Sequence, residues 1–369
     1  MALHLPTYFA DFLRRIRPTL PQRKDMAAGH RVLRDRLMAD EDLSPGIVTT
    51  FLQGSYRRYT AVRPRDEKRP DVDIIVVTRM AESEYTPDQA MKRFKPFLEK
   101  HYKDKYEVQG RSFGIELSYV DMDLVITSAP SEAEVGVYAQ LGKVEEQVRL
   151  DEELEEQEDK ELIKKAEMEL PAWKLGARRI PDRDAGQWQD THPLAQLEWT
   201  SRKNADCFRH YVNVVKALKW WRLVHAAELP DRPKSYPLEH LIGDCCPDRI
   251  TSVAEGIVLT LEAIASQYAP FAAAKQPPFL RDRGVNQNVM ARIKGEDFAA
   301  FYRQAKQAAE KARGAFEAKD AETAAPLWRQ LLGEEFPSAP EGNGGTSTGG
   351  FTPRQEGPGK VGGGRFARG

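Results

Sequence analysis

At 369 residues, the chain has room for two domains and a tail, at ~100 to 200 residues per domain. Its 41% hydrophobic and 30% charged side chains exclude a fibrous or wholly disordered protein. Fifty-five basic against 56 acidic side chains leave a formal charge of -1, which excludes a protein whose main work is coating nucleic acid and leaves room only for local phosphate-binding patches.

Residues 6–42 carry apolar side chains at helical spacing, with Phe9, Phe12, Leu13 and Ile16 on one face and Val32, Leu33 and Leu37 on another, so two helices are expected. Segments 47–52, 72–78 and 115–127 are apolar or alternating and β-branched and read as strands. A helix-like stretch at 86–100 lies between them, which makes this an α/β segment. Residues 143–170 hold twelve acids against five bases, the pattern of a solvated helix without a catalytic role. After a connection at 171–193, the pattern is helical to about 336, broken by prolines at 230–237 and 277–278. From 337 onward, eleven glycines and four prolines fall in 33 residues, too little apolar surface to offset the entropy of ordering. The expected division is N-terminal helices at 1–42, an α/β core at 43–195, a helical domain at 196–336 and a flexible tail at 337–369. No apolar run approaches the ~18 residues of a membrane span, and no signal-peptide core opens the chain. Three cysteines, Cys207, Cys245 and Cys246, form neither a disulfide framework nor a zinc ribbon, so a reduced, cytoplasmic protein with buried thiols is expected.

The sharpest signal is Phe51-Leu52-Gln53-Gly54-Ser55, then a basic loop, then Asp71-Val72-Asp73 opening an apolar run. On a strand, the period of two puts Asp71 and Asp73 on one face. Carboxylates that close raise one another's pKa and cost stability unless a divalent cation sits between them, and hard oxygen ligands suit Mg²⁺ or Mn²⁺. A third carboxylate is expected. Segment 115–127 offers Asp121 and Asp123, both opposite Val120, Met122 and Leu124, and either completes the site. Gly54 lacks a Cβ and lets backbone approach a polyphosphate, while the Ser55 hydroxyl can donate to a phosphate oxygen, so Gln53, Gly54 and Ser55 read as a phosphate cradle. A lone Gly-Ser is more often a tight turn and a lone Asp-x-Asp a solvated pair. Their order, with a distant acid on another strand, is what makes the set specific.

In the helical part, Lys216 and Lys219 stand three apart on an otherwise apolar helix, so both can reach a triphosphate. Arg57, Arg58 and Arg63 read more simply as solvated loop residues. Arg111 and Ser112 are as well explained by a turn before a strand as by an acceptor pocket. His192, His210 and His240 show no metal-ligand spacing, and Trp199, Trp220 and Trp221 read as packing.

The constellation, together with RPDVDIIVVT, THPLAQLEWT, VVKALKWWR, YPLEHLIGDCC and DFAAFY further along, resembles the nucleotidyltransferase superfamily of DNA polymerase beta. It resembles more closely the cGAS/DncV-like nucleotidyltransferases of bacterial CBASS anti-phage defence, with a texture most like clade D. The resemblance implies a polymerase-beta-like α/β core with a mixed sheet, a helical C-terminal domain and a cleft between them. It implies catalytic, metal-binding Asp71, Asp73 and Asp123 with two Mg²⁺ or Mn²⁺ ions, and ranks Asp121 lower. It places Ser235 at the triphosphate and Tyr236 against the base, a form of recognition that stacking makes cheap. The implied activity joins ATP and other nucleoside triphosphates, with loss of pyrophosphate, into a cyclic oligonucleotide, an adenine-rich trinucleotide, that a downstream effector binds. The small-residue end at Gly369 further suggests conjugation to a target by a ubiquitin-like E1/E2 enzyme, against the simpler reading of an inert tail. The competing expectations are a template-independent transferase acting on RNA or protein, for which no strongly basic groove is evident, and a dead interaction module, which the intact acids and Gly-Ser disfavour. No stable nucleic-acid complex and no membrane partner are expected.

Overall fold

The computed structural model describes residues 2–132, 134–138 and 176–339. The acidic stretch at 143–170 and the tail from 340 to Gly369 lie outside them.

Helix α1 (Pro6–Ile16) buries Phe9, Phe12, Leu13 and Ile16 as the spacing predicts. Helix α2 (Leu20–Ala39) begins at a capping box between Thr19 and Gln22, in which each side chain accepts from the other's backbone N–H. Its inner face is Met26, Leu33 and Leu37. Val32, expected on that face, is 41% exposed, because one helical step of about 100° carries it off the stripe. The two helices part at Pro18 and serve different cores: α1 packs into the helical lobe, α2 onto the sheet.

The sheet is formed by β1 (Ile47–Gln53), β2 (Asp71–Thr78), β3 (Tyr106–Val108), β4 (Phe113–Glu116) and β5 (Asp121–Thr127), in the order β1-β2-β5-β4-β3. Only β2 and β5 run parallel, so the sheet is mixed. Segment 115–127, read as one strand, is two: Leu117 N–H donates to Val120 O at 3.0 Å and folds it into a hairpin. The helix expected at 86–100 is likewise divided into α4 (Pro87–Lys92) and α5 (Lys95–Tyr102), after the short α3 (Gly54–Arg57). Pro96 has no N–H to continue α4 and instead opens α5.

Strand alternation decides where the acids go. Val72, Ile74 and Val76 of β2 join Met122, Leu124 and Ile126 of β5 under α2, α4 and α5. Ile75 and Val77, in phase with Asp71 and Asp73, pack on the other face against Phe51, Tyr138, Leu194 and Leu197. The connection at 171–193 contains a hairpin that its polar sequence conceals, β6 (Arg178–Asp182) and β7 (Gln187–Thr191). Arg111 pins it to the core by donating to Asp182 Oδ2 and Gln189 Oε1, both at 2.7 Å.

The helical lobe comprises α6 (Pro193–Asp206), α7 (Tyr211–Val224), α8 (Ser235–Cys245), α9 (Val253–Gln267), α10 (Ala269–Ala273), α11 (Gly295–Phe316) and α12 (Ala321–Leu332); α7 to α12 share one apolar core with α1, whereas α6 packs Leu194 and Leu197 on the sheet and only Trp199 against that core. Helix α7 runs through its centre, with Trp220 and Trp221 buried and the Trp220 indole donating to Leu332 O at 3.1 Å. The three cysteines are free and buried. No helix among the described residues is long and apolar enough to cross a membrane.

Candidate active site

The parallel pairing of β2 with β5 sets Asp71 opposite Asp121 and Asp73 opposite Asp123. Four carboxylates therefore stand in two rows at the edge where both strands begin. Desolvation, then the charges of Asp73, Asp123 and Asp121, push the Asp71 carboxyl up to about 8, against the pull of Lys219. Asp123 is pushed up to about 6 by desolvation and then by Asp73 and Asp121. Burial also raises Asp73, while Arg58 and Lys219 pull it back. Among the described residues, no three such groups converge as a ready-made cation cage. The donor set is nevertheless that of a divalent-cation site, hard oxygens crowded enough to repel.

The two candidates for third acid are not equivalent. Arg69 Nε donates to Asp121 Oδ1 at 2.6 Å and its Nη2 to Glu116 at 3.1 Å, so Asp121 is already ion-paired. Asp123 makes no ion pair among the described residues and is the acid in register with Asp73.

Gly54 follows β1 at φ +72°, a conformation that favours glycine. A Cβ there would meet Asp73 Oδ2 at 1.7 Å. The glycine thus lets the backbone turn directly against the carboxylate row, with Gln53 in register with Asp73. Ser55 lines a cavity of about 200 Å³ between the lobes, along with Arg69, Asp71, Lys219, Arg222 and Ser235. Sequence positions 55, 71, 219 and 235, assigned separately to cradle, acids, clamp and triphosphate contact, meet in this one space. Arg222 donates to Pro233 O at 2.7 Å and Pro230 O at 3.0 Å and so fixes the loop leading into Ser235.

Lys216 and Lys219 are both buried, at 3% and 6% exposure. Only Lys219 lines the cavity. Tyr236 lines a smaller pocket of about 20 Å³ with Arg58, His240 and Arg283. Its hydroxyl donates to Asp282 Oδ2, and its ring stands edge-on to His240 at 4.6 Å.

Sequence reasoning missed Glu239. Burial would raise its carboxyl, yet Arg58 and Lys219 hold it down at about 2. Glu239 Oε1 accepts from Lys219 Nζ at 2.9 Å and from Thr60 Oγ1 at 3.1 Å, and Oε2 accepts from Arg58 Nε at 3.2 Å and Nη2 at 3.1 Å. Arg58, read as solvated, is thus a buried partner, and Arg57 is buried too. Arg63 is bound to Glu335 at 2.7 Å. The usable signal was the one applied to the lysines: a charged residue on a helix whose neighbours Leu238, Leu241 and Ile242 are apolar.

A family model described as the Second Messenger Oligonucleotide or Dinucleotide Synthetase domain matches residues 3–130. Over 368 residues the chain is 46% identical to the cyclic AMP-AMP-GMP synthase of Enterobacter hormaechei subsp. hoffmannii (strain UCI 50), covering 95% of this chain and 96% of that one. It is 44% identical to the probable cyclic AMP-AMP-GMP nucleotide synthase of Salmonella paratyphi B, with the same coverage. In three dimensions it matches the DncV cyclic AMP-GMP synthase of Vibrio cholerae with a TM-score of 0.61 at 13% identity, covering 92% of this chain and 97% of that one.

Proposed function

The chain belongs to the cGAS/DncV-like nucleotidyltransferases, cyclic-oligonucleotide synthases of CBASS defence, and from that premise we propose that it joins ATP and GTP into cyclic AMP-AMP-GMP, the product in the names of two relatives more than 40% identical. The observation that carries the reading is the in-register pair Asp73 and Asp123 beside Asp71, with Gly54 laid against Asp73.

Asp71, Asp73 and Asp123 are the residues that would hold divalent cations, two Mg²⁺ or Mn²⁺ ions. Bound there, such ions neutralise phosphate charge and activate the attacking hydroxyl. The rest of the work falls to the chain. Gln53, Gly54 and Ser55 bring backbone and a hydroxyl to the β- and γ-phosphates. Lys219 and Ser235 approach the same oxygens from the helical lobe, with Lys216 behind them. Asp123, in register with Asp73 at the open end of the two strands, stands where it can accept the proton of the acceptor's ribose hydroxyl. The hydroxyl oxygen forms the new ester bond at the α-phosphorus and pyrophosphate leaves; the last such step closes the ring. Tyr236, which lines the smaller pocket rather than this cavity, is the ring proposed to stack on a base.

Incubation with the four ribonucleoside triphosphates and Mg²⁺ or Mn²⁺, phosphatase treatment and mass spectrometry test this. A phosphatase-resistant cyclic trinucleotide of two adenylates and one guanylate is expected; only linear products, or products attached to RNA or protein, overturn it.

The clade D assignment, a cytoplasmic location and an effector that binds the product belong to the same reading. So does attachment of Gly369 to a target by an E1/E2-like enzyme, for which the composition of the chain end is the support. An unmodified terminus after co-production with such an enzyme would sink that part alone.

A further inference from the structure

We infer that Glu239 is a positioning residue for nucleotidyl transfer, holding Lys219 and Arg58 off the carboxylate row and keeping Lys219 on the wall of the cleft; this rests on the reading of the cleft as a nucleotide site. Glu239 sits on α8 in the helical lobe. Two of its donors, Arg58 and Thr60, come from the segment just after the Gly54-Ser55 cradle, and the third, Lys219, from α7. One carboxylate thus joins the cradle, the lysine-bearing helix and the helix that begins with Ser235.

A role in stability alone does not account for it. Buried ion pairs are on average poor stabilisers compared with well-packed apolar groups, and this one lies beside the acids. The charges of both Arg58 and Lys219 act on Asp73, and that of Lys219 acts on Asp71 as well. Without Glu239, the nearest anions left to Lys219 are those acids. Pairing with them would draw the ammonium away from a triphosphate and occupy the oxygens meant for cations. Glu239 faces two cations, so its one negative charge leaves the trio with a net positive charge, and Lys219 presents that sign to the cleft, as a triphosphate needs.

The test compares Glu239→Gln, which keeps shape and one acceptor, with Glu239→Asp, which keeps the charge, on the full chain. The measurements are thermal melting, kcat and KM for ATP, and the same substitution in a Lys219→Met background. A displacement of ~1 Å at such a site costs on the order of 100-fold, so kcat/KM for E239Q should fall about that far, with E239D recovering part of it. In the Lys219→Met background, E239Q should add less than about twofold, since coupled residues are not additive. Wild-type kcat and KM per folded molecule in E239Q, or full additivity with Lys219→Met, overturns the assignment. Should the wild-type chain form no product, the functional reading fails. Binding of a non-hydrolysable ATP analogue then still decides this point: weakening of about tenfold in E239Q or, where that variant does not fold, in E239D supports it, and equal affinity refutes it.

Discussion

Replacing Gly54 by alanine puts the proposed geometry of the cradle under direct load. Two costs follow. At φ +72° an L side chain pays ~1–2 kcal/mol in backbone strain. In addition, the new Cβ would lie 1.7 Å from Asp73 Oδ2 and 2.5 Å from its Cγ, so the carboxylate must retreat by roughly 2 Å to reach ordinary contact. Active constellations tolerate only ~0.5 Å of such drift, and a displacement of about 1 Å is worth ~100-fold in rate. Gly186 supplies the control: it too has a positive φ, +65°, but nothing lies within 4 Å of its Cβ position. G186A should therefore lose only the strain cost, a drop in Tm of roughly 2–8 °C, with turnover unchanged. G54A, carrying both costs, should melt lower than G186A and lose at least ~100-fold in kcat for pyrophosphate release. Near-normal turnover in a folded G54A protein would show that the Gly54–Asp73 contact does not set the chemistry.

Three further outcomes follow from the same geometry. Because Arg69 already holds Asp121, D121N should cost no more than about tenfold in kcat, whereas D123N should cost ~1000-fold; equal losses would remove the distinction between the two acids. Mg²⁺ or Mn²⁺ at about 100 times its Kd should stabilise the wild-type chain over chelator-treated protein by roughly 2.7 kcal/mol, read as a rise in Tm. The D71N/D73N variant should show no such rise, and an equal rise in both would place the cation elsewhere. Glu239 should leave a mark on acid stability. Its carboxyl is held at about 2 against an ordinary 4.5, so its contribution, on the order of 3 kcal/mol, is present above pH 4.5 and lost as pH falls toward 2. In chelating buffer, the difference in unfolding free energy between wild type and E239Q should shrink across that window, and a constant difference would contradict the buried pairing.

Local rules carried the sequence reading where the structure is local. A period of two is enough to set Asp71 and Asp73 in phase with Ile75 and Val77, and the neighbouring apolar faces then bury the strand and leave the acids at its open end. The buried lysines of α7 were legible for a related reason, since a cation amid Val214, Val215 and Leu218 has no solvated face to occupy. The hairpin at 178–191 was not legible. Its strands alternate no apolar residues, and it is held by polar bonds from Arg111, about seventy positions upstream.

The missing part of the site has the same cause on a larger scale. Arg58 and Glu239 are 181 positions apart; apolar neighbours hint that Glu239 is buried, but nothing near either residue names the other. Pairing makes them buried, and no window of sequence contains both. The choice between Asp121 and Asp123 also turns on a distant partner, because both face the same way on β5 and only Arg69 tells them apart. Strand period thus places the acids on their strands, whereas long-range ion pairs decide which of them stay available and which cations are aimed at the cleft. Substitutions at Arg69 and Glu239, neither of which resembles a catalytic residue in sequence, should therefore alter activity more than their surface-like composition suggests.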